Sequence, residues 1–192
     1  ELRSKVSSFA AKYLQVPLIY VNQIGANDNL IFDGNSFILD KNGSKIKQLK
    51  SFSEDLSSWH IEQTIPEKKE FEQSEISSIF DALVLGVRDY AQKCGFKTAL
   101  IGLSGGIDSA LVSAIATAAL GSNNIYCVSM PSKWSSSHSK SDAKDLARRL
   151  KINFNSIPIE NLMNSFEESF IKTISFEMAE ITNQNIQSRI RG

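Results

Sequence analysis

Six consecutive residues, Ser104-Gly105-Gly106-Ile107-Asp108-Ser109, have the types and spacing to do chemistry. Two adjacent glycines let a backbone close in on a ligand, so that its N–H groups can face an anion. Ser104 and Ser109 add hydroxyl donors. Asp108 brings a carboxylate, the hard oxygen ligand that magnesium takes alongside phosphate oxygens. Ala99 to Leu103, just before, is a short apolar run of strand length that passes through Gly102 and Leu103. Ala110 to about Leu120, just after, is rich in Ala, Leu, Val and Ile and reads as a helix. A strand that runs through a small-residue turn into a helix puts the turn at a helix N-terminus, where the dipole also favours negative charge. Gly102 to Ser109 therefore reads as a phosphate cradle, with Asp108 as its metal ligand. The competing reading is an ordinary strand-to-helix turn with a serine cap, since Ser, Asp and Gly are common there too. The widespread lysine-bearing loop G-x-x-x-x-G-K-[ST] does not fit, because Ile107, Asp108 and Ser109 follow Gly106.

The surrounding elements must hold this turn in place. Ile76, Ile79, Phe80, Leu83, Val84 and Val87 mark an amphipathic helix ending near Cys94 and Gly95. After the cradle and its helix, Asn124 to Met130 reads as a strand and Pro131 to Ser139 as a serine-rich loop. Asp142 to Leu150 reads as a charged helix, and Asn153 to Ile159 as a third strand. This βαβαβ order predicts a doubly wound parallel α/β sheet with right-handed crossovers. Ligands in such sheets bind beyond the carboxyl ends of the strands, so Val128 to Met130 is placed to meet a purine base. The serine-rich loop can serve as a lid, and Lys133 within it can neutralise phosphate charge.

The first fifty residues predict a different unit. Leu2, Val6, Phe9, Ala10, Tyr13 and Leu14 fall near helical spacing. Pro17 to Asn22 reads as a strand, Gln23 to Asn29 as a loop, and Leu30-Ile31-Phe32 and Ser36 to Asp40 as strands around a turn at Asp33-Gly34. Asn42-Gly43 is a strong hairpin signal, with Ser44 to Leu49 returning as its partner strand. A helix followed by a strand and a hairpin suits the closing part of an α/β sandwich. Residues 1–50 form this unit, 51–72 read as a polar linker, and 73–192 form the nucleotide half. Trp59 and His60 fall within the linker and are expected to be packing and surface residues.

Composition narrows the function classes. The 192 residues carry 21 acidic and 21 basic side chains, so net charge gives no reason to expect nucleic acid or an anionic membrane as partner. No apolar run approaches the roughly 18 residues of a membrane span, and no signal-peptide pattern opens the chain. Cys94 and Cys127 show no metal-type spacing, which points to a reduced, cytoplasmic setting. The chain opens without methionine inside a helical pattern and closes at Arg189-Ile190-Arg191-Gly192, again in one, so a fragment of a longer protein is expected.

The order Ser-Gly-Gly-x-Asp-Ser after a strand resembles the pyrophosphate loop (PP-loop) of the ATP pyrophosphatases, a fold class of adenine nucleotide alpha hydrolase type. Val16 to Gly25, Asp28 and Leu30 to Ser36 resemble the late part of a nitrilase-like glutaminase domain, more narrowly that of the glutamine-dependent NAD synthetases. Ala82 to Tyr90, Gly102 to Val112, Val128 to Ser132 and Ser141 to Ala143 are similar to the synthetase domain of the same family. The final Asn185 to Gly192 resembles the family's segment that binds the pyridine dinucleotide. The resemblance implies that Gly102, Leu103, Ser104, Gly105, Gly106, Ile107, Asp108 and Ser109 bind ATP with Mg2+ at Asp108, and that Asn185, Gln187 and Arg189 bind deamido-NAD. It implies ATP-dependent amidation of deamido-NAD to NAD with ammonia from glutamine, in a homodimer or higher homo-oligomer. The family's glutaminase Glu-Lys-Cys set lies upstream of the matching region, so no catalytic residue falls in this chain, and the isolated segment is expected to be inactive. Departures stand at Gly25-Ala26-Asn27-Asp28-Asn29, where Gly-Gly-Gln-Asp-Glu is usual. Others stand at Lys133 and Trp134, where arginine and tyrosine are frequent, and at Asn183 and Gln184, where two acidic residues are usual. Two other readings stay open: another PP-loop enzyme, GMP synthetase-like or tRNA-modifying, and a nucleotide-binding module without catalysis.

Overall fold

A computed structural model describes residues 2–61, 74–174 and 180–192. Its contacts divide the chain into two compact units, Glu1–Cys94 and Gly95–Gly192. Much of the expected linker, residues 62–73, lies outside the described residues. Residues 51–61 are tied back to the first unit by a bridge between Ser51 and Gly34 and by the Phe52 N–H donating to the Asp33 carbonyl at 3.0 Å.

In the first unit, helix α1 (Leu2–Leu14) precedes strands β1 (Leu18–Tyr20), β2 (Ile24–Asn27), β3 (Leu30–Asp33), β4 (Phe37–Leu39) and β5 (Lys45–Gln48). β1, β4 and β5 form an antiparallel sheet in the order β1-β4-β5. Its core is Phe37 and Leu39 against Ala11 of α1. The hairpin predicted at Asn42-Gly43 is present. Gly43 has φ +74°, and a Cβ there would lie 2.4 Å from Ser8 Oγ, so only glycine allows the turn to seat on α1. The helical stripe read in α1 points away from this sheet: Ser7 and Ala11 are buried, whereas Leu2, Val6, Phe9, Tyr13 and Leu14 are exposed. Small residues let the helix approach the sheet closely, which the periodicity of the large residues did not reveal.

The segment expected to be a loop, Gln23 to Asn29, contains strand β2, paired antiparallel with β3. Gly25, Ala26 and Asn27 have little strand propensity, and tertiary contact overrides it. Helix α2 (Glu75–Lys93) packs on this hairpin and grips one residue from both sides. Asp89 Oδ2 accepts from the Ala26 N–H at 2.7 Å, and Lys93 Nζ donates to the Ala26 carbonyl. Those contacts carry α2 into the first unit, although residue 73 was the expected start of the second. Of the six apolar positions that marked this helix, Val84 is buried and Ile76, Ile79, Leu83 and Val87 are exposed. Arg3 and Asp33 form a bidentate ion pair, and Asn22 Nδ2 donates to the same carboxylate at 2.9 Å. Burial pushes the Asp33 carboxyl up, but the hydrogen bond and charge of Arg3 outweigh it and hold the group below the usual carboxylate range.

The second unit contains the parallel sheet. Strands β6 (Ala99–Gly102), β7 (Ile125–Ser129) and β8 (Asn153–Ser156) pair in register in the order β6-β7-β8. Helices α3 (Ile107–Leu120) and α4 (Ser137–Leu150) make the two crossovers, and α5 (Glu160–Ile174) and α6 (Glu180–Arg191) follow. Leu103, Ile125 and Cys127 are almost wholly buried beneath Ala116, Ala143 and Ala147, so small helical residues again permit close helix–sheet packing. Burial also pushes the Cys127 thiol above its ordinary pKa, with the Ser113 hydroxyl opposing it. Three boundaries differ from expectation by three residues or more, one of them the end of β8 at Ser156 rather than Ile159. Helix α3 begins at Ile107 rather than Ala110, which puts Asp108 and Ser109 in its first turn. Helix α4 begins at Ser137 rather than Asp142, because Ser136 Oγ caps it by accepting from the Ser139 N–H at 3.0 Å. The serine-rich loop is therefore a short turn joined to a helix start.

Candidate functional site

The cradle begins where β6 ends. The Leu103 N–H donates to the Val128 carbonyl at 2.9 Å, extending the β6–β7 ladder by one residue before the chain turns away. Gly105 has φ +86°, and a Cβ there would sit 2.3 Å from the Ser139 carbonyl oxygen of α4. The loop thus lies directly against the first turn of the next crossover helix. Within it, Ser104 Oγ accepts from the Gly106 N–H at 3.2 Å and lies 3.1 Å from Ser109 Oγ. Ser109 Oγ donates to the Gly106 carbonyl at 2.9 Å. One turn on, the buried Ser113 hydroxyl donates to the Ser109 carbonyl at 2.8 Å and contacts Cys127 Sγ at 3.7 Å, which anchors α3 on β7.

Capping separates the two readings of this turn. Helices α2 and α4 are capped by the side chains of Ser74 and Ser136, whereas the N-cap of α3 is Gly106, with no side-chain cap bond. A helix start without such a cap leaves first-turn N–H groups to an outside acceptor, and an anion serves best. Asp108 is exposed in that first turn. Among the described residues no three His, Cys, Asp or Glu cluster as a metal site. A lone accessible carboxylate beside a phosphate site fits magnesium, which is usually held by one or two carboxylates, substrate phosphates and retained waters.

A cavity of about 600 Å³ opens at the carboxyl ends of β6 and β7. That is within the usual size range for small-molecule sites. Gly102, Leu103 and Ser104 line it from the cradle, while Gly105 to Ser109 lie outside its lining. Val128, Ser129 and Met130 form another wall, where the sheet geometry placed them. Lys133 does not line it; its ammonium lies 4.5 Å from the centre of the Trp134 ring. Lys140, in the first turns of α4, is the lysine at the cavity instead.

The residues chosen on α6 divide between two faces. Gln187 lines the cavity, whereas Asn185 and Arg189 are exposed and outside its lining. Two positions along a helix is about 200° of rotation, so alternate residues face opposite ways. Arg191, four residues after Gln187 and on the same face, was not among the sequence candidates, yet it reaches the cavity. The i, i+4 spacing from Gln187 was the available signal. Asn183 and Gln184 line a smaller cavity of about 190 Å³ together with Trp134 and Gln187.

The family model described as NAD synthase matches residues 79–192. A glutamine-dependent NAD(+) synthetase of Synechocystis sp. is 44% identical over 196 residues, covering 100% of this chain and 35% of that protein. One from Rhodobacter capsulatus is 38% identical, covering 100% of this chain and 36% of the relative. The solved structure of glutamine-dependent NAD+ synthetase from Acinetobacter baumannii in complex with ADP superposes with a TM-score of 0.86 at 36% identity, over 97% of this chain and 36% of that one. The chain thus spans about a third of the length of these relatives.

Proposed function

The chain belongs to the NAD synthase family, and from that premise we propose that it supplies the nucleotide-binding part of an enzyme that amidates deamido-NAD to NAD. The observation that carries this reading is the cradle itself: a turn with no side-chain cap at the start of α3, whose first residue, Ser104, lines a cavity of about 600 Å³. The ADP-bound relative of the same fold supports an adenine nucleotide as its occupant. In the proposed reaction a carboxylate oxygen of deamido-NAD attacks the α-phosphorus of ATP. The bond from that phosphorus to the β-phosphate oxygen breaks, and pyrophosphate leaves. Ammonia then attacks the acyl carbon of the adenylate, AMP departs with the bonding electrons, and the nitrogen loses one proton to give the amide.

The cradle's task is to hold the pyrophosphate. Ser104 can turn its hydroxyl from Ser109, and Ser109 its own from the Gly106 carbonyl, toward phosphate oxygens, and the α3 N–H groups face the same charge. Magnesium at Asp108 would spread charge over the leaving pyrophosphate. Lys140 stands at the cavity to add a positive charge. A helix terminus contributes about 0.3–1 kcal/mol to an adjacent charge, whereas enzymatic accelerations need about 8–23 kcal/mol. Orientation of the two substrates and exclusion of water must supply most of the difference. Asn185 and Arg189, on the outward face of α6, are proposed to meet deamido-NAD, with amide and guanidinium donors suited to sugar and phosphate groups.

Ammonia from glutamine is a proposal for the complete protein, supported by the names of the relatives; a cytoplasmic setting and a homodimer or higher homo-oligomer are proposals that rest on the family resemblance. The exposed apolar residues of α1 and the one-third coverage support work within a longer polypeptide. Among the described residues no helix is long and apolar enough to cross a membrane. The test is incubation of the complete protein with deamido-NAD, ATP, magnesium and ammonia, followed by chromatography. NAD and AMP in equal amounts are expected; ADP as the nucleotide product would refute the reaction.

A further inference from the structure

We infer that Arg191 is a positioning residue for the nucleotide, holding the wall of the cavity against which the base of ATP rests; this rests on the ATP reading above. The Val128 carbonyl accepts from the Leu103 N–H at 2.9 Å, that of Ser129 from the Ile157 N–H at 2.8 Å, and that of Pro131 from the Ile159 N–H at 3.0 Å. Met130 lies between them at the cavity wall, and its carbonyl is taken by a side chain instead: Arg191 Nε–H donates to it at 3.0 Å. Without this partner the half-buried carbonyl would be free to swing into the cavity.

The guanidinium does more than satisfy one carbonyl. A second N–H reaches Ser135 Oγ at 3.4 Å. Ser135 Oγ in turn accepts from the Ser132 N–H at 3.0 Å and so closes the turn that follows β7. Gln187, one turn earlier on α6, completes the set. With its amide oriented to suit the hydrogen bonds, the nitrogen donates to Ser132 Oγ at 3.2 Å, and the oxygen accepts from Arg191 at 2.6 and 3.2 Å. Ser132 is buried, so this is the ordered side of the cavity. Among the described residues no carboxylate pairs with Arg191. Its bonds among the described residues are to neutral acceptors, in a fork geometry that lysine does not reproduce.

The tie fixes three things relative to one another: the end of β7, the turn at Ser132–Ser135, and helix α6. A base lying against Val128 to Met130 meets a wall already set in position. Without Arg191, that wall must be ordered by the nucleotide itself, which lowers affinity for ATP. The chemical step depends on the cradle and the reacting carboxylate, neither of which Arg191 touches.

The experiment compares wild type, Arg191→Met and Arg191→Lys in the complete protein, by steady-state kinetics and by the rise in melting temperature that ATP produces. Expected for Arg191→Met is a KM for ATP about tenfold higher, with kcat and the KM for deamido-NAD within threefold of wild type. The ATP-dependent rise in melting temperature should shrink, and Arg191→Lys should fall between the two. An ATP KM within twofold of wild type in both variants would overturn the inference. So would equal increases for both substrates, since that is what a general loosening of α6 gives. If Arg191→Met does not fold, Arg191→Lys decides by the same criteria. Should the wild type form no NAD, the functional reading fails instead, and the melting shift with ATP still tests Arg191 alone.

Discussion

Gly105 and Gly121 share a φ of +86° but differ in their surroundings, which makes them a paired test of the cradle. At Gly121 a Cβ would meet nothing within 4 Å, whereas at Gly105 it would lie 2.3 Å from the Ser139 carbonyl oxygen. Alanine at either site meets a positive-φ backbone cost, roughly 1–3 kcal/mol at Gly121, whose φ of 86° and ψ of 146° suit only glycine. Alanine at Gly105 must in addition move the loop or α4 by about 1 Å to reach ordinary contact. Helix α4 resists, because Ser139 belongs to its capped first turn, so the loop is displaced. A misplacement of about 1 Å at a reacting site can cost on the order of 10²-fold in rate. Gly105→Ala should therefore lower kcat/KM for ATP about 100-fold, while Gly121→Ala loses roughly 1–3 kcal/mol of stability and keeps its ATP kinetics. The assays are steady-state kinetics and urea unfolding on both variants of the complete protein. A Gly105→Ala enzyme within threefold of wild type would refute the claim that the turn must lie against Ser139 to work.

Two further predictions concern the first unit. Asp33 has its carboxyl held below the usual range, so its ion pair stabilises the fold above about pH 4 and is lost as pH falls through the lowered folded value. Asp33→Asn should flatten this acid limb and lower stability at neutral pH by about 1–2 kcal/mol, as read from urea midpoints between about pH 3 and 7; an unchanged acid limb would contradict it. Asp89→Ala removes the acceptor for the Ala26 N–H, and hydrogen exchange at that amide should speed up at least tenfold. Unchanged protection of Ala26 would show that α2 is held on the β2–β3 hairpin by other contacts.

The parallel sheet was legible because Ala99–Leu103 and Asn124–Met130 are short apolar runs beside glycine and proline. The cradle was legible because few residue types tolerate that turn. Other features depend on contacts that no local pattern encodes. Strand β2 is built from Gly25, Ala26 and Asn27, and it forms because Asp89 and Lys93 hold Ala26. Large apolar residues in α1 suggested a buried face, yet Ala11 and Ser7 make the contact because they are small. Lys133 was a reasonable phosphate partner from its loop position, but it lies over Trp134, and an earlier start of α4 brings Lys140 to the cavity. On α6 the motif pointed to Asn185, Gln187 and Arg189 together. Helical rotation separates Gln187 from the other two and adds Arg191 to its side.

The central claim is that Ser104 to Ser109 holds the pyrophosphate of ATP while a carboxylate is adenylated. Exchange of labelled pyrophosphate into ATP, measured in the complete protein without ammonia, reads that step directly. Wild type should show exchange that depends on deamido-NAD and magnesium, and Asp108→Ala should lose it while hydrolysing glutamine at the wild-type rate. Exchange undiminished in Asp108→Ala would contradict the metal role of Asp108, and no exchange in the wild type would contradict the account of the cradle.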